Sequence, residues 1–336
     1  MLVKIHEKYI KRCIEIAKNG LGTTRPNPMV GCVIVHNNTI IGEGFTSPYG
    51  GNHAEVNAIN SVKDKSILNQ SILYVTLEPC SHYGKTPPCS HLIIDHQIPE
   101  VVIGTVDIHS KVSGKGIEKL KASGCKVSVG VLEKACQWHH KRFFAFHQKQ
   151  RPYIILKWAE TLDGFIAPNY KNEQKPVWIT NEFSRQLVHQ WRAQEHAILV
   201  GSTTVLEDNP LLTIRDWTGQ NPIRIVIDKK KKLPKTSNIF NSDAETFVFS
   251  ESDIDFKANI ASQICSLLHQ KNIQSVIIEG GKKTLQTFVN ENLWDEARVF
   301  TGNVMFNQGL KAPVFSGKLQ STQQLNKDIL NIYTHD

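Results

Sequence analysis

The residues of this chain best suited to chemistry are a histidine, a glutamate and two cysteines in its first hundred positions. His53-Ala54-Glu55 follows a Gly-Gly turn at the predicted start of a helix, and Pro79-Cys80 follows a predicted strand. Cys89 comes nine residues after Cys80. One imidazole and two thiolates give zinc three protein ligands and leave its fourth tetrahedral position open for water. The pattern therefore predicts a catalytic zinc ion held by His53, Cys80 and Cys89.

Glu55 lies two residues after the predicted histidine ligand and is suited to proton transfer. Zinc lowers the pKa of a bound water, and a nearby carboxylate can take a proton from that water and pass it to a leaving amine. His-x-Glu followed by Pro-Cys is typical of zinc deaminases, although their two cysteines are separated by two residues and these by eight. The wider gap leaves a structural zinc site as an alternative. His82 and His91 are competing ligands, but the loop after Cys80 is better suited to line a substrate pocket.

The second half of the chain carries a weaker signal for anion binding. No Gly-x-Gly-x-x-Gly follows its first predicted strand, which disfavours a Rossmann site. A later strand instead ends in Glu279-Gly280-Gly281 and leads through two lysines into a helix. Glycines let a phosphate approach the backbone, and a helix N-terminus favours an anion. Taken alone, this segment also fits an ordinary turn. The four lysines at 229–232 predict a solvated turn, because no aromatic residues interleave with them to stack on bases.

These motifs fall on alternating helices and strands. Apolar residues recur at helical spacing between Ile5 and Ala17, and Gly20 and Gly22 end that helix. Further helices are predicted over residues 53–62, 89–96, 116–123 and 132–147, and strands over 30–35, 39–44, 71–77, 101–105 and 127–131. Strands that alternate with helices predict an α/β sheet covered on both faces.

A domain boundary is predicted near residues 148–152, giving a first domain over 1–147 and a second over 148–336. A polar stretch ends there in Arg151-Pro152, and proline disfavours helix at the residue before it. Beyond it, strands are predicted over 153–158, 197–200, 223–227, 246–249, 275–278 and 297–301, and helices over 181–194, 260–270 and 284–290. The second domain is therefore also α/β, with its own core.

The composition is that of a globular protein. The 336 residues are 40% apolar and 21% charged, and the seven cysteines are an odd number scattered from Cys13 to Cys265. Such cysteines suit free thiols or metal ligands in a reducing compartment. With no apolar run of membrane-spanning length and no signal peptide, a cytoplasmic protein is expected. The net charge of +8 favours an anionic partner, either nucleic acid or a phosphorylated small molecule.

Several strings resemble the bifunctional deaminase–reductase family of riboflavin biosynthesis. In the first half they are Arg25-Pro26-Asn27-Pro28-Met29-Val30-Gly31, His53-Ala54-Glu55-Val56 and the run EPCSHYGKTPPC from Glu78 to Cys89. In the second half they include Thr161-Leu162-Asp163-Gly164, Trp178-Ile179-Thr180, Asp208-Asn209-Pro210-Leu211-Leu212-Thr213 and Glu279-Gly280-Gly281. The resemblance spans roughly residues 4–315. In that family the gap between the cysteines is longer than in nucleotide deaminases, so the eight-residue gap supports the zinc prediction.

The resemblance implies a cytidine-deaminase-like first domain and a dihydrofolate-reductase-like second domain. The first would hydrolytically deaminate 2,5-diamino-6-ribosylamino-4(3H)-pyrimidinone 5′-phosphate. The second would use NADPH to reduce the ribosyl group to the ribityl side chain. It also implies one Zn²⁺ per chain, a phosphorylated pyrimidine as substrate, no nucleic acid or membrane partner, and a homo-oligomer, either a dimer or a tetramer.

The resemblance further assigns roles to individual residues. Glu55 would be the proton donor of the deaminase, whose substrate would contact Asn27 and Lys85. Lys157 would act at the reacting sugar, with Glu279 orienting it. The cofactor-binding residues would be Ala159, Trp178, Thr204, Asp208 and the phosphate loop Gly281, Lys282, Lys283, Thr284, Leu285, Gln286 and Thr287. The residues binding the reductase substrate would be Pro176, Arg192, Leu212, Arg215 and Glu279.

Three segments depart from the family pattern. Thr46 stands where the family usually has a histidine, residues 107–110 read Asp-Ile-His-Ser where it has Asp-Pro-Asn-Pro, and Pro176 replaces a serine that often contacts substrate. These changes leave details of substrate contact open, and Pro176 makes the reductase the half that could have decayed. Two other functions stay as alternatives. One is a nucleic-acid or nucleotide base deaminase with an inactive or binding-only second domain. The other is a binding protein that uses zinc only to fold.

Overall fold

The computed structural model describes residues 2–83, 87–108, 113–171 and 173–335. Contacts within the chain divide it into two compact units, Met1–Lys149 and Gln150–Asp336. This division falls within the segment where the sequence predicts a domain boundary. Among the helices of the described ranges, none combines the length and the apolar character that crossing a bilayer requires.

The first unit is a five-stranded sheet with helices on both faces. Its strands are β1 (Gly31–His36), β2 (Thr39–Phe45), β3 (Ile72–Leu77), β4 (Glu100–Thr105) and β5 (Lys126–Val129). Its helices are α1 (Leu2–Ala17), α2 (Ala54–Ser61), α3 (Cys89–Asp95), α4 (Lys115–Ala122), α5 (Glu133–His139) and α6 (Lys141–Gln148). The strand order is β2-β1-β3-β4-β5, with β1 antiparallel to both its neighbours and β3, β4 and β5 parallel.

Side chains of β1 alternate between two apolar layers, as the pleat of a strand requires. Cys32 and Ile34 pack into the layer that contains α2, α3 and α4. Val33 and Val35 pack into the opposite layer, with α1 and α5. The predicted sheet with both faces covered is therefore confirmed for this unit.

The single helix predicted over residues 132–147 is wrong in one respect, because the chain forms two helices there. α5 ends at His139 and α6 begins at Lys141. Nε2 of His139 lies 2.8 Å from the carbonyl oxygen of Met29, and Nε2 of His140 lies 3.2 Å from Oγ1 of Thr76. Both imidazoles are buried, so the break in the helix lets two consecutive polar side chains bond to the interior.

The second unit is built on an eight-stranded sheet and a separate pair of strands. Its strands are β6 (Tyr153–Thr161), β7 (Phe165–Pro168), β8 (Ala197–Gly201), β9 (Ile223–Ile227), β10 (Thr246–Phe249), β11 (Ser275–Gly280), β12 (Glu296–Gly302), β13 (Gly309–Lys311), β14 (Lys318–Leu325) and β15 (Asp328–Thr334). Its helices are α7 (Glu182–Gln194), α8 (Ser202–Asp208), α9 (Ile260–Gln270) and α10 (Lys282–Asn290). The order is β10-β9-β8-β11-β6-β12-β15-β14, and β7 and β13 form a separate pair.

Within this sheet, the neighbouring strands β10, β9, β8, β11, β6 and β12 run parallel to one another. β15 and β14 form an antiparallel edge beside β12. α9 and α10 share one core layer with the sheet, which confirms the predicted second α/β core. The ring of Trp191 in α7 lies 5.4 Å from the ring of Phe300 in β12, with their planes inclined by 35°. The lysines at 229–232 follow β9 in a turn, with Nζ of Lys229 5.4 Å from the ring of Phe256.

A buried ion cluster joins α7 to the sheet. Arg298 of β12 donates from Nε to Glu296 at 2.6 Å and from Nη2 to Glu195 at 3.4 Å. Its guanidinium also lies 4.4 Å from the ring of Trp191. Glu195 immediately follows α7, so the cluster fixes the C-terminal end of the helix that carries Arg192.

Candidate active sites

The three predicted zinc ligands converge in the first unit. His53 immediately precedes α2, Cys80 follows β3, and Cys89 is the first residue of α3. Their ligand atoms lie within 4.8 Å of one another, with Nδ1 of His53 3.6 Å from Sγ of Cys80 and 3.3 Å from Sγ of Cys89. Tetrahedral zinc bonds of about 2.3 Å to sulfur and about 2.0 Å to nitrogen separate such atoms by about 3.5 Å. The residues therefore fit a zinc ion.

α2 reaches this position because glycines of β2 let the helix lie directly on the strand. A Cβ atom at Gly44 would lie 2.3 Å from the backbone nitrogen of Ala58 and 2.5 Å from the backbone oxygen of Ala54. These are backbone atoms of α2, which cannot turn aside as a side chain can. The close approach places His53 and Glu55 beside the end of β3.

The loop that carries Cys80 is anchored by Glu78. The buried carboxylate of Glu78 accepts backbone N–H groups of Gly114 and Gly116, both at 2.9 Å, at the start of α4. A carboxylate in this place satisfies free helix N–H groups and opposes the helix dipole. A Cβ atom at Gly116 would lie 2.1 Å from the backbone oxygen of Pro79, so the helix start contacts the residue just before Cys80.

The electrostatics of the cluster suit metal binding and proton transfer. Hydrogen bonds with Cys89 and His53 lower the pKa of the Cys80 thiol to about 4, favouring the thiolate that binds metals. Burial raises the pKa of the Glu55 carboxyl to about 7. A carboxyl with such a pKa can both accept and donate a proton near neutral pH.

The other residues predicted for the deaminase pocket are placed less directly. Asn27 is half-buried, three residues before Val30. Thr46 bonds to the backbone of Val30 twice: its Oγ1 accepts the N–H of Val30 at 3.0 Å, and its own N–H donates to the carbonyl oxygen of Val30 at 3.0 Å. Thr46, a departure from the family pattern, therefore acts structurally on the segment that carries Asn27. Lys85 lies outside the described residues. The metal-ligand cluster found within the described ranges contains neither His82 nor His91.

The second unit contains a cavity of about 470 Å³ that brings together most of the predicted reductase residues. Those that line it are Lys157, Ala159, Pro176, Trp178, Arg192, Thr204, Asp208, Arg215, Glu279, Gly281 and Leu285. The predicted residues outside its lining are Leu212, Lys282, Lys283, Thr284, Gln286 and Thr287. Leu212 is buried with a φ of 56°, and Gln286 bonds to both the N–H and the carbonyl of Val314.

The charged centre of this cavity is Glu279, at the end of β11. Its Oε1 accepts from Nζ of Lys157 at 2.9 Å, and its Oε2 accepts from Nη2 of Arg192 at 2.8 Å. Burial opposes ionisation of Glu279, but Arg192 and Lys157 outweigh burial and lower its pKa to about 2. Nε of Arg192 is buried and, within the part of the chain that the structure describes, has no hydrogen-bond partner. The site thus holds an ammonium group and a guanidinium group on the two oxygens of one carboxylate.

The predicted phosphate loop lies where β11 passes into α10. Gly281 caps α10, and Thr204 of α8 packs against the turn, so that a Cβ atom at Gly280 would lie 3.1 Å from Oγ1 of Thr204. The absence of side chains leaves room for a ligand beside the first N–H groups of the helix. Asp208, also predicted to contact the cofactor, forms an ion pair with Lys171.

Comparisons with known proteins agree with this arrangement. The family model for the RibD C-terminal domain matches residues 152–334, and that for the cytidine and deoxycytidylate deaminase zinc-binding region matches residues 3–105. The riboflavin biosynthesis protein RibD of Aquifex aeolicus is 36% identical over 326 residues, covering 92% of this chain and 90% of that protein. The chain belongs to the RibD family. The RibD protein of Escherichia coli is 34% identical over 323 residues, covering 88% of this chain and 86% of that protein.

Solved structures of RibD proteins share the fold. A Thermotoga maritima diaminohydroxyphosphoribosylaminopyrimidine deaminase/5-amino-6-(5-phosphoribosylamino)uracil reductase superposes with a TM-score of 0.90 at 36% identity, covering 99% of both chains. RibD of Acinetobacter baumannii gives 0.87 at 31% identity, also covering 99% of both chains. The predicted family, its two-domain α/β fold and a bifunctional deaminase–reductase of riboflavin biosynthesis are confirmed. The alternative of a nucleic-acid deaminase with an inactive second domain is not favoured.

Sequence reasoning missed several residues that line the reductase cavity, among them Lys171, Arg185 and His189. His189 of α7 lines the cavity and is buried. It lies three residues before Arg192, and this helical spacing places both side chains on one face. That spacing was the only signal available in the sequence.

Proposed function

We propose that the first unit, with one zinc ion per chain, hydrolytically deaminates 2,5-diamino-6-ribosylamino-4(3H)-pyrimidinone 5′-phosphate. The second unit then uses NADPH to reduce the ribosyl group of the product to ribityl. The observation that carries the proposal is that each unit has its own chemically complete cluster. His53, Cys80, Cys89 and Glu55 form the first. Lys157, Glu279 and Arg192 form the second. The name of the T. maritima relative supports this pair of activities.

In the deaminase, His53, Cys80 and Cys89 would hold the zinc ion, which when bound would lower the pKa of a water molecule toward neutrality. Glu55 takes a proton from the attacking water and delivers it to the departing amine, so that ammonia leaves and a ring carbonyl forms. The 4% exposure of Glu55 shields its carboxyl from bulk water, so the proton stays within the site. The family resemblance assigns the substrate contacts to Asn27 and to Lys85, which lies outside the described residues.

In the reductase, the glycine turn before α10 with Lys282 and Lys283 would hold the phosphates of NADPH, which would supply the hydride when bound. Ala159, Trp178, Thr204 and Asp208 complete the cofactor site. Lys157, held by Glu279 at 2.9 Å, donates a proton to the sugar oxygen as the ribose opens. Arg192 and Arg215 hold the substrate phosphate, since guanidinium groups can bind it through two parallel hydrogen bonds. Pro176 offers no hydroxyl, so the substrate contact made by the family's serine is either lost or supplied by the backbone.

The test is a two-signal assay that follows ammonia release and NADPH oxidation together on the proposed substrate. The wild type should release ammonia first and then oxidise NADPH. The rate of ammonia release by Glu55→Gln should be about 10²–10⁴-fold lower, which is the usual contribution of a general acid–base group, and the variant should keep its zinc. Glu118→Gln, at an exposed position of α4, is the matched control and should behave as wild type. A zinc-loaded wild type that releases no ammonia would refute the proposal. The predicted homo-oligomer and cytoplasmic location stay predictions.

A further inference from the structure

The reductase cavity contains a buried imidazole for which the proposed chemistry has no use. His189 lies in the wall of the cavity on α7, with its side chain only 5% exposed. Buried polar groups generally have hydrogen-bond partners, and the partners of His189 indicate the role of its ring.

The contacts of His189 define how its ring is used. Its Nδ1 lies 3.1 Å from the backbone nitrogen of Arg215 and accepts that N–H. The proton of the neutral ring is therefore on Nε2. Nε2 lies 3.5 Å from Oδ2 of Asp216 and 3.4 Å from Nη2 of Arg215, and only the carboxylate can accept its proton. Burial and the nearby Arg192 and Arg215 lower the pKa of His189 to about 4, so the ring stays neutral and Nδ1 stays an acceptor.

Two side chains of α7 form hydrogen bonds with the backbone of the same loop, at Thr213 and Arg215. Nη1 of Arg192 donates to the carbonyl of Thr213 at 3.1 Å, while His189 accepts the N–H of Arg215. The N–H between them, that of Ile214, donates to the side chain of Asn221 at 2.8 Å. Three consecutive residues of the loop thus have a backbone group fixed by a side chain. α7 therefore contributes directly to the position of the Arg215 backbone, through His189.

We propose that His189 is a positioning residue of the reductase. By holding the backbone of Arg215, it presents the Arg215 guanidinium to the phosphate of the substrate, next to Arg192. The inference rests on the proposed function, in which these two arginines bind that phosphate. A long arginine side chain on a fixed backbone loses less freedom when it binds, so removal of the restraint weakens binding of the phosphate and leaves the chemistry intact.

The test compares His189→Ala and His189→Asn in the full chain, using the deaminated substrate with and without its 5′-phosphate. His189→Ala should raise KM for the phosphorylated substrate about tenfold, with kcat and KM for NADPH within about twofold of wild type. Turnover of the dephosphorylated substrate should not change. Asparagine can place an acceptor where Nδ1 lies, so His189→Asn should restore most of the affinity.

Binding of ribose 5-phosphate, measured by calorimetry, gives a second readout that needs no turnover. His189→Ala and Arg215→Ala should each weaken it by about tenfold, and the double variant should be no weaker than Arg215→Ala, because the two residues act as one unit. Additive losses, an equal rise in KM for both substrates, or a His189→Asn variant no better than alanine would overturn the role of His189. If the wild type binds ribose 5-phosphate but does not turn over the deaminated substrate, the proposed function is refuted, whereas the role of His189 in phosphate binding is not.

Discussion

Two buried glutamates in this chain carry opposite protonation tendencies. Glu279 lies between Lys157 and Arg192, which lower its pKa to about 2, so it remains an anion that holds the lysine in place. For Glu55, burial is the largest effect and raises the pKa to about 7. The difference follows from the neighbouring cations, not from depth, because both carboxyl groups are almost fully buried. One carboxylate is therefore suited to orientation and the other to proton exchange.

Replacing Lys157 tests whether its ammonium group takes part in the reduction. Lys157→Met keeps the length of the side chain and removes the proton donor. We expect reductase kcat to fall by about 10²–10⁴-fold, the usual contribution of general acid catalysis, with ammonia release unchanged. Stopped-flow NADPH oxidation measures the step, and Lys318→Met, at an exposed position of β14, is the control. Full reductase turnover in Lys157→Met would remove the lysine from the mechanism.

The sequence predicts residues whose identity alone carries the chemistry, and it misses those that act through the backbone. His53, Cys80 and Cys89 could be recognised because few residue types bind zinc, and the structure brings them together. His189 could not, because its partner is the backbone N–H of Arg215, 26 residues away, and a sequence motif does not show which helix side chain contacts a loop backbone. Thr46 is similar: its hydroxyl bonds to the backbone of Val30, a role that no side-chain pattern encodes.

At the scale of elements, the contact between α2 and β2 determines whether the zinc ligands can meet. Gly44→Val would place methyl groups against backbone atoms of Ala54 and Ala58. Overpacking typically costs about 1–3 kcal/mol, and rigid backbone neighbours place this variant at the upper end, about 3 kcal/mol. Denaturant melts and zinc analysis should show lower stability and less bound zinc. Ile40→Val, on the same strand but partly exposed, should change stability by less than about 0.5 kcal/mol. An unaltered zinc content in Gly44→Val would contradict the argument.

The break between α5 and α6 makes the first unit sensitive to acid. Burial lowers the pKa of His139 to about 4, and the pKa of the adjacent His140 falls well below its usual value. The unfolded chain binds these protons near pH 6.5, so the free energy of unfolding is at its full value above that pH and falls as the pH drops toward 4. Between pH 7 and pH 5, His139 alone should cost about 2 kcal/mol.

Urea unfolding of wild type and His139→Gln at pH 7 and pH 5 measures this effect. Glutamine can still donate to the carbonyl of Met29 but takes up no proton. The variant should therefore lose about 2 kcal/mol less stability than wild type between the two pH values. An identical loss in both proteins would assign the acid sensitivity to other groups.

Elements with clear apolar periodicity could be predicted, whereas short elements and the C-terminal hairpin could not. The strand over 223–227 and the helix over 260–270 match β9 and α9 because apolar periodicity marks them. β7, α8, β13, β14 and β15 were missed. β14 reads KLQSTQQL, with all but its last residue exposed, and it is a strand because β15 pairs with it. Pairing across a hairpin is not visible in local composition.

At the scale of the whole molecule, each unit contains both a core and a complete cluster of reactive groups. The zinc ligands and Glu55 lie in Met1–Lys149, and the Lys157–Glu279–Arg192 cluster lies in Gln150–Asp336. Removal of zinc with a chelator should abolish ammonia release while leaving NADPH oxidation on the deaminated substrate within about twofold. Restored zinc should restore the first signal. Loss of both signals on chelation would show that the reductase also depends on the metal.

The three zinc ligands come from segments that are distant along the chain: His53 is 27 residues from Cys80 and 36 from Cys89. A shared ion would therefore act as a crosslink that closes two loops of the polypeptide, and metal concentration becomes a variable of the folding equilibrium. For an ion that binds only the folded chain, each tenfold rise in its free concentration above the dissociation constant adds about 1.4 kcal/mol to the free energy of unfolding. The free zinc concentration would thus determine the stability of this domain as well as its catalytic activity.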